Sequence, residues 1–429
     1  MATYLFVTFA ITAIMGFPIW AVLGAASFVA LTLGSATPVI VIVQRMFISV
    51  DQFVLLAIPL FMVAGNLMET GGISRRLINF CDSLIGSLPG GLSMVGVLAC
   101  MFFAAISGSG PATVAAIGGI LIPAMTEAGY DKAYAASTMA VAGAIGVIIP
   151  PSIPMVNYGV VGSVSVAALF AAGFGPGILI GIALMVVCYF TAKKRGYGIG
   201  NGTKFSVENV TRRFKEAFFA LIMPVIILGG IYGGIFTPTE AAAVAVVYGL
   251  IIGMFVYKEL NIKQLPALLM SSGRSTAMVM MILAVASGFG WILTAERIPD
   301  VIATAMTTLT NNKIIILLLI NMFLLVVGCF METIASIIIL TPIFLPIVTQ
   351  LGVDPVHFGI IMIVNLAIGM STPPLGVNLF VACGIAKITI EEIVKKIVWL
   401  LVANLLALLA ITYIPAISLG LPKLMGIIS

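Results

Sequence analysis

Four short stretches interrupt otherwise apolar sequence, and each carries residues able to hold an ion or a small anion. The first is Ser107-Gly108-Ser109-Gly110-Pro111-Ala112-Thr113. Two glycines and a proline this close together break a helix. The break frees backbone N–H and C=O groups, which in hydrocarbon must be buried in protein or line a wet cavity. Carbonyls and hydroxyls at such a break suit a hard cation such as sodium, and freed helix N-termini suit an anion. Close packing of small residues would account for the glycines and serines, but not for Pro111.

The second stretch is Gly146-Val147-Ile148-Ile149-Pro150-Pro151-Ser152-Ile153-Pro154-Met155-Val156-Asn157-Tyr158, and the third is Gly369-Met370-Ser371-Thr372-Pro373-Pro374-Leu375-Gly376-Val377-Asn378. A Pro-Pro pair removes two donors and bars the preceding residue from the helical region. Each helix is therefore unwound at its middle, with Ser152, Asn157, Ser371, Thr372 and Asn378 supplying side-chain oxygens. The fourth stretch, Gly328-Cys329-Phe330-Met331-Glu332-Thr333-Ile334-Ala335-Ser336, is less polar, and Glu332 stands where the first has Ser109. An acid there binds a cation, carries a proton or caps the helix that follows; the sequence leaves the three open. Candidate substrate contacts are Ser109, Pro111, Thr113, Asn157, Thr333, Ser371 and Asn378.

Thr237-Pro238-Thr239-Glu240-Ala241 reads as a capped helix start, with a coupling or subunit-contact role for Glu240 as the alternative. His357, the single histidine, reads as a loop or interface residue. The five cysteines lack metal spacing and read as small buried apolar side chains. There is no Gly-Lys-Ser/Thr phosphate loop, so the chain does not hydrolyse ATP itself, and no nucleophile–base pair suggests an enzyme. No arginine falls at the four breaks, so a carboxylate would be held by helix N-termini, amides and hydroxyls, together with bound cations.

What positions these breaks is a membrane. Of 429 residues, 62% are apolar and 8% charged, against about a quarter charged in soluble domains. Apolar runs longer than about 18 residues recur along the chain, predicting an all-α polytopic membrane protein. Met1 to Ala10 shows no basic n-region and runs into span-like sequence. The net charge of +5 lies in inter-helix loops and is no nucleic-acid signal.

The chain repeats itself. An offset of 223 positions aligns residues 112–151 with 335–374 and matches 13 of 40, including the Gly, the Asp and the paired Pro. Residues 1–192 form the first repeat and 218–429 the second, joined by a basic loop, 193–217, with a Gly-rich middle. The first repeat is expected to hold spans near 3–17, 18–40 and 52–69, an amphipathic arm near 73–88, a re-entrant hairpin over 90–126, a broken span over 131–162 and a long span near 165–192. The second is expected to hold spans near 218–236, 238–257 and 274–294, an arm near 258–272, a hairpin over 313–349, a broken span over 354–386 and a last span near 397–422. An odd number of spans per repeat inverts the second. With the loop cytoplasmic, 16 of the 20 Lys and Arg fall inside, as the positive-inside rule expects. Paired breaks in an inverted repeat point to a secondary transporter's site.

On Ile58-Pro59-Leu60-Phe61 with Ala64-Gly65, the 107–112 stretch, residues 146–158, the Thr237–Ala241 run (residues 237–241) and Thr372-Pro373-Pro374 through Asn378-Leu379-Phe380, the chain resembles, essentially end to end, the large membrane subunit of tripartite ATP-independent periplasmic (TRAP) transporters, of the DctM and SiaM type. The resemblance implies sodium-driven import of organic acids across the bacterial inner membrane. It implies two partners, a small four-helix membrane subunit and a soluble periplasmic substrate-binding protein. It also implies an elevator-type fold like that of divalent-anion/sodium symporters, with hairpins and broken spans moving against a static scaffold. Sodium ions, with no other cofactor, would then lie where Ser107, Gly108, Ser109 and Gly110 face Gly146, Pro150 and Ser152, and where Gly328, Met331, Glu332 and Thr333 face Gly369, Thr372 and Pro374. The resemblance names N-acetylneuraminate first, ahead of C4-dicarboxylates and other sugar acids. A passive anion channel is the competing class; it needs a continuous polar path, and the sequence offers midplane breaks without charged rings.

The inverted arrangement predicts that reporters fused near residues 80 and 310 report opposite sides of the membrane. The same side for both would refute it.

Overall fold

Proline and glycine punctuate the apolar runs, and the helices fall between them. The computed structural model describes residues 1–197, 205–310 and 312–428. The first half holds α1 (Ala2–Ile14), α2 (Ile19–Gly34), α3 (Ile40–Val50), α4 (Ala57–Thr70) and α5 (Ile73–Ile85). Then α6 (Gly91–Ser107) turns back through α7 (Gly110–Thr113), a π turn over Val114–Gly118 and α8 (Gly119–Glu127). A broken helix follows as α9 (Lys132–Gly143) and α10 (Ile153–Gly162), and α11 (Val166–Arg195) closes the half. The second half holds α12 (Val207–Tyr232), α13 (Pro238–Ile251), α14 (Leu265–Ala295) and α15 (Ile298–Leu309). Its hairpin is α16 (Lys313–Phe330) and α17 (Thr333–Gln350), its broken helix α18 (Pro355–Gly369) and α19 (Val377–Ala386), followed by α20 (Ile390–Tyr413) and α21 (Ala416–Leu424). Among the described residues eight helical segments are long and apolar enough to cross a membrane, and none forms a strand.

The 223-residue offset maps local structure as well as sequence. Asp131 caps α9, accepting from Tyr134 N–H at 3.1 Å. Its equivalent, Asp354, caps α18, accepting from Val356 and His357 N–H at 2.7 and 3.2 Å. Gly129 and Gly352 both take positive φ, 85° and 68°, a conformation that disfavours a side chain. Partial burial alone would raise the Asp131 carboxyl; the Lys396 ammonium, 2.8 Å away, and the α9 amides outweigh it and hold the group below the usual carboxylate range.

The two upstream halves of the broken helices form the centre. Every residue of α9 from Tyr134 to Gly143 and of α18 from Val356 to Gly369 is buried. A helix that is apolar all round needs neighbours all round. Helices α6, α11 and α20 pack on α9, and α11, α16, α17 and α20 on α18. The repeats also interlock: α10 packs on α17, and α19 on α9 and the π turn of the first hairpin. A second group forms where α14 packs on α2, α3 and α4, with α1 on α2 and α13 on α4. Outward faces expose Phe190, Val225, Phe255, Val326, Trp399 and Leu406, an apolar surface that suits lipid rather than water.

Four expectations need correction. The second amphipathic arm is not at 258–272. Residues 265–295 form one continuous helix, and the arm is α15, which the 223 offset aligns with α5. Residues 40–50 form a separate helix, α3, where the sequence suggests a span ending at 40 and a loop. The basic loop is shorter than 193–217, because Lys193, Lys194 and Arg195 end α11 and Arg212, Arg213 and Lys215 lie inside α12. Cations near a helix C-terminus complement its dipole, and Arg213 pairs with Glu216 one turn on at 2.9 Å. Gly198 to Gly202 and Lys204 lie outside the described residues. His357 is no loop residue: it is buried in the first turn of α18, with Nδ1 2.7 Å from Ser418 Oγ and Nε2 3.2 Å from the Thr412 carbonyl.

Where α16 crosses α18, Gly328 and Gly369 meet backbone to backbone. A Cβ on Gly369 would lie 2.5 Å from the Gly328 main chain, whereas one on Gly384 would meet nothing within 4 Å. Gly369→Ala is expected to cost about 1–3 kcal/mol through overpacking, read as a lower apparent Tm in detergent, with Gly384→Ala unchanged. Equal melting of the two variants would contradict this crossing.

Candidate functional site

Each hairpin tip is stitched to the break of its own repeat by one backbone hydrogen bond. In the first repeat Ile153 N–H donates to the Gly108 carbonyl at 3.4 Å; in the second Gly376 N–H donates to the Cys329 carbonyl at 3.3 Å. Ile153 and Gly376 are equivalent at the 223 offset. Both breaks carry a cis peptide, Pro150-Pro151 and Pro373-Pro374. The structure thus brings the 107–113 stretch to the 146–153 break, and the 328–336 stretch to the 369–378 break.

The first tip gathers oxygen atoms. Gly108 sits at φ +61°, and a Cβ there would lie 2.9 Å from the Pro151 carbonyl. Ser107 Oγ lies 2.9 Å from Thr113 Oγ1, and the Thr113 hydroxyl donates to the Ser109 carbonyl at 2.8 Å. A Cβ on Gly146 would strike both Thr113 Oγ1 and that carbonyl. Ser152 caps α10, donating to the Val147 carbonyl at 2.6 Å and accepting from Met155 N–H at 3.4 Å. Pro150 is buried, Gly110 opens α7, and Pro111 follows it half-buried. Hydroxyls and carbonyls converging at one unwound point are the chemistry of a hard-cation site. Thr113, assigned to substrate on sequence grounds, belongs to this hydroxyl cluster.

The second tip is built differently. Glu332 Oε2 accepts from Ile334 and Ala335 N–H at 2.8 and 3.1 Å, so of the three roles left open the structure displays the cap. Thr333 Oγ1 lies 2.9 Å from Met370 Sδ. Thr372 donates into its own helix, to the Ile368 carbonyl at 2.8 Å, and Pro374 is exposed. Met331 lines an apolar cavity with Phe323 and Val327.

Ser371 and Asn378 reach across the repeats. Both donate to the Ala140 carbonyl of α9, at 2.9 and 3.2 Å. Asn378 Oδ1, buried and without a hydrogen-bond partner among the described residues, lies 3.2 Å from where a Gly110 Cβ would stand. Asn157 donates to the Ile153 carbonyl at 3.0 Å and joins neither group. Glu240 is committed to the capping box with Thr237, and it is exposed.

One part of the site is absent from the sequence reading. A cavity of about 130 Å³ lies between the first hairpin tip and α4 with α14, lined by Met62, Asn66, Glu69, Ser107, Ser109 and Ser275 among others. Asn66 and Glu69 stand one turn apart on α4, and Asn66 Nδ2 donates to Ser272 Oγ at 2.7 Å. The signal is one pair of polar residues three positions apart, Asn66 and Glu69, at the end of an apolar helix, too sparse to separate from chance without knowing what α4 faces.

Comparison with known proteins follows the same lines. The family described as "Tripartite ATP-independent periplasmic transporter, DctM component" matches residues 6–417. The isethionate TRAP transporter permease protein DctMQ of Oleidesulfovibrio alaskensis is 51% identical over 415 residues, 97% of this chain; the chain spans 65% of that relative's length. The C4-dicarboxylate TRAP transporter large permease protein DctM of Pseudomonas aeruginosa is 45% identical over 382 residues, 89% of each chain. The sialic acid TRAP transporter large permease protein SiaM of Vibrio cholerae is 40% identical over 394 residues, 92% of each. The crystal structure of the Alcanivorax borkumensis YdaH transporter shares the fold, with a TM-score of 0.64 at 16% identity over 99% of both chains.

Because Gly146 closes directly on the hydroxyl cluster, Gly146→Ala is expected to lower uptake by about tenfold or more, the equivalent of roughly 1.4 kcal/mol of lost cation or transition-state binding. Gly119→Ala, whose Cβ would meet nothing within 4 Å, is expected to transport like the unaltered chain. The comparison is made at matched membrane levels, and normal uptake by Gly146→Ala would dissociate the cluster from transport.

Proposed function

The chain belongs to the DctM family of TRAP transporters, large permeases rather than enzymes and multi-pass proteins of the bacterial inner membrane, and from that membership we propose that it couples sodium entry to import of a small organic anion. The observation that carries the reading is the pair of stitched breaks. At each, an unwound segment meets a hairpin tip through an equivalent residue of the break, Ile153 or Gly376, which is how secondary transporters present backbone carbonyls and hydroxyls to a coupling ion. The first cluster, with Ser107, Ser109, Gly146 and Thr113, is the stronger sodium site in this reading. The second, around Gly328, Gly369, Thr333 and Thr372, is the weaker.

The partners in this proposal are a small membrane subunit and a periplasmic binding protein that delivers the substrate. Motion is of the elevator type: the hairpins with α9–α11 and α18–α20 move as one body against α1–α4 and α12–α14. Three cavities support that division, because each lies where the two groups face one another. They are the 130 Å³ cavity at the first tip, one of about 480 Å³ holding Arg45, Ser49, Gln52, Ser287 and Trp291, and an apolar one of about 500 Å³ under the second tip. Tight packing at that boundary would resist sliding.

For the substrate, the three relatives name three different anions: isethionate, C4-dicarboxylates and sialic acid. N-acetylneuraminate, first on resemblance, becomes one member of a panel that isethionate heads, since that relative is the most similar of the three.

The test is uptake into proteoliposomes carrying this chain with its small subunit and binding protein. Replacing external sodium with potassium should reduce the initial rate about tenfold or more. Ser107→Ala, Ser109→Ala and Thr372→Ala should insert normally yet need more sodium for half-maximal uptake. Uptake that is indifferent to sodium would end the coupling proposal, and unaltered sodium dependence in all three variants would mean that the ion binds elsewhere.

A further inference from the structure

The cavity at the first hairpin tip has a chemical polarity of its own. On the hairpin side stand the Ser107 and Ser109 hydroxyls. On the other side stand Asn66 and Glu69 of α4 and Ser275 of α14. Asn66 has its Nδ2 engaged by Ser272. Glu69 is half-buried, and among the described residues no ion pair holds it. No lysine, arginine or histidine is among the residues lining the cavity. An anion entering here meets the Ser109 hydroxyl as donor at one end, the Ser107 proton being held within the hydroxyl cluster, and a carboxylate at the other.

Two physical limits follow. A volume of about 130 Å³ is well below the roughly 300 Å³ at which pockets for drug-sized ligands begin, so a nine-carbon sugar acid is too large for it. A second negative charge on the substrate would face Glu69. Like charges about 6 Å apart at an effective dielectric near 20 repel by an amount worth on the order of a hundredfold in affinity. A hydroxyl or N–H at that end would instead donate to the carboxylate, a charge-assisted bond of the stronger kind.

We infer that this cavity takes a compact monoanion with a hydrogen-bond donor at its far end, a hydroxy-sulfonate or hydroxy-carboxylate, and that Glu69 is the residue that rejects dianions. The inference rests on the reading of the first hairpin tip as part of the transport site. Specificity here comes from an unfavourable contact with the wrong substrate as much as from a favourable one with the right one.

The experiment isolates this chain's selectivity from that of the binding protein. The full chain with its small subunit is reconstituted in sodium chloride, radiolabelled isethionate is bound directly, and succinate and N-acetylneuraminate compete. Isethionate is expected to bind at least tenfold more tightly than either competitor. Glu69→Gln should raise the relative affinity of succinate about tenfold or more, while Glu69→Asp keeps the original preference. If Glu69→Gln leaves the succinate-to-isethionate ratio unchanged while Ser107→Ala or Ser109→Ala still weakens isethionate, Glu69 does not face the ligand and the site reading stands. If none of these variants changes either affinity, the site reading itself fails. N-acetylneuraminate binding as tightly as isethionate would overturn the size limit. Should Glu69→Gln fail to insert, the same ratio is read in Glu69→Ser.

Discussion

A peptide group left unpaired in hydrocarbon costs several kcal/mol, and this chain unwinds two of its most buried helices at their middles. The hydrogen bonds from Ile153 to Gly108 and from Gly376 to Cys329 are therefore more than local details. Each lets a break use a hairpin tip as the partner that water would otherwise supply. That requirement dictates much of what surrounds them. The tips must come close, so Gly146 and Gly369 carry no side chain where the neighbouring backbone arrives. The helices that lead into the breaks must be enclosed, so α9 and α18 are buried along nearly their whole length.

The two junctions share their scaffold and differ in their chemistry. At the first, a glycine in the left-handed region and three hydroxyl-bearing residues assemble an oxygen-rich point. At the second, a glutamate occupies the position of Ser109 and closes on the amides of its own helix, and the neighbouring contact is a hydroxyl against a thioether. Under the sodium-coupling proposal, a duplicated fold whose halves hold different donor sets would offer two ion affinities instead of one doubled. The repeats are also tied to each other, since Ser371 and Asn378 of the second donate to the Ala140 carbonyl of the first. Displacing the second break thus disturbs the helix that leads into the first, a direct physical route for coupling between them.

The breaks were legible in the sequence because proline and glycine act locally: their effect on the backbone needs no knowledge of neighbours. The repeat was legible because Asp131 and Asp354, Gly146 and Gly369, and the proline pairs recur at one offset. The second arm was misplaced for an equally physical reason. Lys258, Glu259 and Lys263 look like the polar edge of a surface helix, but Ser271 to Thr276 lie within α14, which runs on unbroken to Ala295. Asn66, Glu69 and Ser275 were not legible as a group. They come from helices some 200 positions apart, and nothing local says that α4 turns this face towards a hairpin tip. Thr113 shows the same limit in reverse: its hydroxyl is legible in the sequence, but not that it turns towards Ser107 and the Ser109 carbonyl.

The boundary between the two helix groups explains why those residues matter. Inside the groups some helix crossings close on a glycine with no room for a further methyl, as where Gly369 meets the Gly328 backbone. Across the boundary the packing is interrupted by cavities. At Gly65 an added Cβ would rest at an ordinary 3.4 Å from Ser107. A contact of that kind holds position without interdigitating, so one surface can leave the other without first repacking its core. Any group projecting across such a boundary is met by the substrate only while the two surfaces are apposed. Glu69 stands at that place. In the elevator motion proposed above, its carboxylate acts on what the first hairpin carries when the tip is docked and is withdrawn from it when the tip moves away, which would confine discrimination by Glu69 to one side of the transport cycle.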